Sequence, residues 1–116
     1  MNDMNEVKAY VRRERVEGVV RALHDAGVAH MAVTHVESLG SLVDPAIVRV
    51  SMEAGTRYME HAKIEFVCEA RDTDRFIELI RGQAYTGERG DGIISVTPVD
   101  RVMRISTGEE APDALA

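Results

Sequence analysis

The order in which two hydrophobic periods follow one another constrains this chain more than any other feature. Residues 7–11 (V-K-A-Y-V) alternate in the manner of a half-buried strand, and residues 14–26 then change period. Val16, Val19, Val20 and Leu23 fall at i, i+3, i+4 and i+7, one face of an amphipathic helix that Gly27 is placed to end. Residues 31–36 alternate again, with Met31, Val33 and His35 on one face and Ala32, Thr34 and Val36 on the other. After a long connection over 38–60, residues 63–70 (K-I-E-F-V-C-E-A) predict a third strand. Asp72 or Thr73 is placed to cap a second helix with Phe76, Ile77 and Ile80 as its apolar stripe, ending near Gly82. Residues 93–96 predict a fourth strand that Pro98 interrupts, and 102–105 either continues it or adds an edge strand. The order β-α-β-β-α-β predicts an α+β, ferredoxin-like βαββαβ sandwich, an antiparallel sheet with two helices on one face.

That fold hosts many unrelated activities, so function has to be sought in sites. At 116 residues the chain predicts one domain, 1–116. Twenty acidic against fourteen basic residues give a net charge of -6, which argues against nucleic acid as a partner, since that affinity rests largely on Lys and Arg neutralising phosphates. No signal-peptide pattern and no run of membrane-span length is seen, so the expectation is a cytoplasmic protein that is not membrane-embedded. The one cysteine, Cys68, lies in an apolar run and reads as a small core residue.

Two connections carry the remaining information. Residues 86–92 (T-G-E-R-G-D-G) place three glycines among the last six positions, which leaves little side chain between backbone N–H groups and a docking ligand. The turn is either a phosphate cradle or a plain surface loop, and it is not a Walker A loop, because no Gly-Lys-Ser/Thr follows and the order is helix to strand. The 38–60 connection is far longer than a hairpin needs and carries A-I-V-R-V-S-M, an alternating apolar piece suited to docking on a partner.

Together these residues resemble the PII signal-transduction proteins and their PII-like relatives over nearly the whole chain. Residues 27–40 (G-V-A-H-M-A-V-T-H-V-E-S-L-G) are similar to the family's second strand and loop opening, 86–96 to its B-loop, and 101–110 (R-V-M-R-I-S-T-G-E-E) to its C-terminal signature. The resemblance implies a homotrimer of ferredoxin-like subunits with adenine nucleotide in each intersubunit cleft. It also implies a long T-loop, about 38–60, that reaches a target such as a membrane transporter. Carried over position by position, the nucleotide-binding set is Gly40, Gly87, Glu88, Arg89, Gly90, Asp91, Gly92 and Arg104, the last from the C-terminal loop 101–116. The partner-binding loop is represented by Val43, Ile47, Val48, Arg49 and Tyr58.

Departures from the family pattern narrow the expectation. Ser41-Leu42-Val43 stand where nitrogen-sensing members have a glutamine that helps hold magnesium and 2-oxoglutarate, which puts that sensing in doubt. Ile93 replaces the lysine after Gly-Asp-Gly, Ser106 the second arginine of the C-terminal pair, and Ser41 an arginine at the start of the T-loop. Each charge-assisted hydrogen bond is worth roughly 1.5–3 kcal/mol, so losing three weakens a triphosphate more than a monophosphate. The expected ligand is AMP or ADP over ATP, with cAMP a further candidate. Ala54 falls where some members carry a modified tyrosine, which leaves Tyr58 out of register. The rewritten T-loop resembles PII-like branches tied to inorganic-carbon uptake, carboxysomes, bicarbonate or metal efflux.

The other polar residues read more simply. His24, His30, His35 and His61 lack the spacing of a metal site and read as surface or interface histidines, so no metal is implied. Asp91 reads as a turn support rather than a catalytic carboxylate. Arg12, Arg13 and Arg15 form either a solvated patch or part of a neighbour's phosphate pocket. The expected activity is regulation and not catalysis. The rivals are a weak nucleotide hydrolase using Asp91 or Glu88 to position water, and an interaction module that has lost its nucleotide.

Overall fold

The computed structural model describes residues 3–38 and 59–116. Four strands, β1 (Met4–Arg12), β2 (Ala32–Ser38), β3 (Met59–Glu69) and β4 (Gly92–Pro98), form one sheet in the order β2-β3-β1-β4 with every pairing antiparallel. Two helices, α1 (Val16–Asp25) and α2 (Thr73–Ala84), follow β1 and β3, each through a short 3-10 turn. This is the predicted βαββαβ sandwich.

Alternation decides which face the helices cover. Val7, Ala9 and Val11 of β1 are buried and stand opposite Phe66, Ile64 and Ala62 of β3, which are buried too. Val19 and Leu23 of α1 and Phe76 and Ile80 of α2 close this layer, and Phe66 meets Phe76 edge-on with ring centroids 5.6 Å apart. Leu23, Ile64 and Ile80 are among the largest fully buried side chains, each worth about 1.5–3 kcal/mol by removal from water. Cys68 belongs to this core, as expected, and burial pushes its thiol above the usual range against the opposing hydrogen bond to Thr73. The other face, which carries Lys8, Tyr10, Lys63 and Glu65, has no second layer among the described residues.

Helix ends show where local signals hold. Gly27 adopts φ +107° and donates to the His24 carbonyl while Val28 donates to Leu23, both at 3.0 Å, the paired bonds of a Schellman stop with Leu23 and Val28 buried beneath it. Gly82, by contrast, does not end α2, which runs on to Ala84 because Ala84 still packs into the core. Asp72 makes no side-chain cap to α2, and its carboxylate faces Arg75 at 3.4 Å. Residues 102–105 are neither a continuation of β4 nor an edge strand. β4 ends at Pro98, and the chain then makes a small folded-back turn with a lone bridge between Met103 and Glu110.

Ser38 and Met59 are paired across the β2–β3 ladder, so the connection between them leaves and returns at one point of the sheet. The T-loop reading, with Gly40, Val43, Ile47, Val48, Arg49 and Tyr58, lies outside the described residues.

Candidate functional site

Residues 86–91 turn the chain from α2 into β4, with Gly87 and Gly90 at φ +86° and +94° and Gly92 at φ +107° opening the strand. A Cβ on Gly92 would lie 1.7 Å from the Tyr10 carbonyl oxygen, so only glycine lets β4 approach β1 at this point.

Asp91 ties the turn. Its carboxylate accepts from the Thr86 amide at 2.8 Å, the Thr86 hydroxyl, the Gly87 amide at 3.3 Å and Arg12 Nε at 2.9 Å. Partial burial pushes the carboxyl upward, but the Thr86 bonds and the Arg12 guanidinium outweigh it and hold the group at about 2. The reading of Asp91 as a turn support therefore stands.

Two residues from the sheet hold the turn from within. Arg12 Nη2 donates to the Arg89 carbonyl at 2.6 Å, and His61 Nε2 lies 2.7 Å from the Gly90 carbonyl, which requires the ring proton on that nitrogen. Arg12 is 4% exposed and His61 0%, and they are partners in the β1–β3 register. The solvated reading of Arg12 does not survive, since it is a buried strut of its own chain. His61 is likewise buried, not a surface histidine, because the turn folds over the end of the sheet where it sits. His24, His30 and His35 are exposed as expected, and Arg13 is an exposed partner of Glu60 at 2.6 Å.

With two carbonyls of the turn occupied from inside and residues 88–91 closed as a hydrogen-bonded turn, the consecutive amides of Arg89 and Gly90 make no hydrogen bond among the described residues. Consecutive amides of this kind around left-handed glycines form a concavity suited to an anion. Glu88 and Arg89 extend exposed side chains from its rim. A cavity of about 240 Å³ beside it is lined by Asp91, Gly92 and Ile93 with Tyr10, Arg81 and Tyr85.

Arg104 stands elsewhere. It lines a larger cavity of about 580 Å³ with His30, Glu65, Phe66 and Leu115, and no residue lines both cavities. Within one chain the structure brings Gly87 through Gly92 together but does not add Arg104 to them. The described residues contain no cluster of three or more His, Cys, Asp or Glu side chains that could hold a metal ion. No described helix is long and apolar enough to cross a membrane.

The Nitrogen regulatory protein P-II family model matches residues 4–109. The chain is 35% identical over 112 residues to the Nitrogen regulatory protein P-II of Azospirillum brasilense, covering 97% of this chain and 100% of that one. It is also 35% identical over 115 residues to Nitrogen regulatory protein P-II 1 of Methanothermobacter thermautotrophicus, covering 99% and 100%. The crystal structure of Arabidopsis thaliana PII bound to citrate superposes with a TM-score of 0.81 at 29% identity, covering 99% of this chain and 92% of that one. A match over nearly the full length in sequence and in fold, with the glycine turn inside the matched span, makes this chain a member of the P-II nitrogen regulatory protein family of signalling proteins.

Proposed function

We propose that this protein is an adenylate sensor that binds a nucleotide between copies of itself and passes the bound state to a partner through the 38–60 connection. The observation that carries this reading is the glycine turn, whose Arg89 and Gly90 carbonyls are held inward by Arg12 and His61 while neighbouring amides stay available to phosphate oxygens. The separation of Arg104 from that turn supports a site completed by a second copy, in which one chain supplies Gly87 to Gly92 and the next supplies Arg104. The helix-free face of the sheet is the surface on which copies would associate as a homotrimer.

With Ile93, Ser106 and Ser41 in place of cations, the site favours AMP or ADP over ATP. The nucleotide acts on the 38–60 connection only if it interacts differently with that connection's alternative states, since equal affinity shifts no population. The root of the connection, Ser38 and Met59, lies two residues from His61, which contacts the turn directly. A membrane transporter or an inorganic-carbon or nitrogen system is the proposed class of partner. Titration calorimetry with AMP, ADP and ATP tests the reading. Submillimolar binding in the order AMP or ADP tighter than ATP is expected, and no binding of any of them below millimolar would sink it.

A further inference from the structure

We infer that His30 and Arg104 form an oxyanion site that the chain's own segment 111–116 occupies as an intrinsic competitor. This rests on the reading of Arg104 as a phosphate ligand and adds to it a second ligand and a latch. Arg104 Nη2 donates to the backbone oxygens of Ala116 at 2.6 Å and Ala114 at 3.0 Å, and it lies 2.6 Å from His30 Nε2. His30 Nε2 is in turn 2.9 Å from the Ala116 oxygen. One oxygen acceptor thus sits where an arginine and a histidine converge, the arrangement a phosphoryl oxygen would take.

Arg104 differs from the acidic residues of the surrounding cavity in how it is paired. Glu6, Glu65, Glu69 and Asp72 line the same cavity, and each has a cation within 4 Å: Lys8 at 3.4 Å, Lys63 at 3.6 Å, Arg71 at 3.1 Å and Arg75 at 3.4 Å. No Asp or Glu side chain pairs with Arg104 among the described residues; its partners are the main-chain oxygens of Ala114 and Ala116 and an imidazole. With the proton on Nε2, His30 donates to the Ala116 oxygen while Arg104 donates to the Ala116 and Ala114 oxygens, so one oxygen accepts from both side chains. A phosphoryl oxygen in its place would accept from the same two donors.

The segment is built to leave as a unit. Ala114 N–H to Glu110, Leu115 to Pro112 and Ala116 to Asp113 are local bonds, Ala111 N–H tethers the segment to the Val102 carbonyl at 3.1 Å, and Ala114 alone is buried. Its displacement would free Arg104 without opening the sheet.

The test is titration with AMP, and separately with inorganic pyrophosphate, of the full chain, of a chain ending at Glu110, and of Ala114→Gln, which expels the segment without removing it. Both tail variants should bind the probe about tenfold more tightly, within the range usual for coupled sites. Adding His30→Ala to the shortened chain should cancel most of that gain. Hydrogen exchange on the full chain covers the case in which the shortened chain does not fold: pyrophosphate should remove protection from the Ala111 amide, whose bond to the Val102 carbonyl ties the segment to the fold. Unchanged or weaker binding in both tail variants, or tail protection that rises with pyrophosphate, overturns the inference. If AMP binds equally with and without the segment, the latch fails and the nucleotide reading stands. If pyrophosphate displaces the segment and AMP binds no form, the nucleotide reading fails and the latch stands.

Discussion

Asp91 and Arg12 together decide whether the glycine turn has a fixed shape. The Asp91 carboxyl sits at about 2 in the folded chain against an ordinary 3.8, so its ionised form favours the native state. That contribution is full above about pH 4 and is lost as the pH falls from about 4 towards 2; with the side chain 22% exposed it amounts to about 1–2 kcal/mol. Urea denaturation of the wild type and Asp91→Asn should show that gap at pH 7 and see it narrow steadily below pH 4. A gap that does not change with pH would mean the carboxylate is not the source. Arg12→Met leaves the Asp91 carboxylate and the Arg89 carbonyl without their buried donor and should cost about 2–4 kcal/mol, more than Asp91→Asn because the guanidinium serves both. Neither Arg12 nor His61 was legible in the sequence as part of the turn. They lie 77 and 29 residues from the carbonyls they hold, and only the β1–β3 register puts them side by side.

Among the elements, those with a regular period were legible and their ends were not. Alternation at Val7, Ala9 and Val11 and the i, i+3, i+4, i+7 stripe of Val16, Val19, Val20 and Leu23 report burial directly, so both appear where the pattern put them. Gly27 was legible as a stop because a left-handed residue was needed there; Gly82 misled because no such need exists in mid-helix, where glycine costs only about 0.5–1 kcal/mol relative to alanine. Residues 102–105 read as a continuation of β4 or an edge strand, but Pro98 ends the ladder before them. Gly92 gives the sharpest test at this scale. Gly92→Ala combines a positive φ with a Cβ 1.7 Å from a carbonyl oxygen and should cost at least about 2 kcal/mol, with lost exchange protection across the Val11–Gly92 pairing. Gly82→Ala, in open space within a helix, should be neutral or stabilising by up to about 1 kcal/mol.

At the scale of the whole molecule, the fold sets apart the two elements that the proposed nucleotide site would use. The turn at Gly87 to Gly92 belongs to the end of the sheet where Arg12 and His61 sit, whereas Arg104 belongs to the cavity beside His30. The glycine turn and the 101–110 segment were legible in the sequence as motifs, but their separation was not, because it depends on how the chain after β4 runs back toward the connection between α1 and β2. The central claim is that a nucleotide site is completed only between copies. Mixing two variants, each disabled in a different half, tests this most directly. Arg89→Glu places a negative charge on the rim of the turn, and Arg104→Gln removes the cation of the other half; each alone should bind no AMP. After denaturation and co-refolding of equal amounts, the account predicts that AMP binding returns at roughly a quarter of the sites, those where an intact turn meets an intact Arg104 across an interface. No binding from the mixture, with each variant folded and associated as the wild type is, would contradict it.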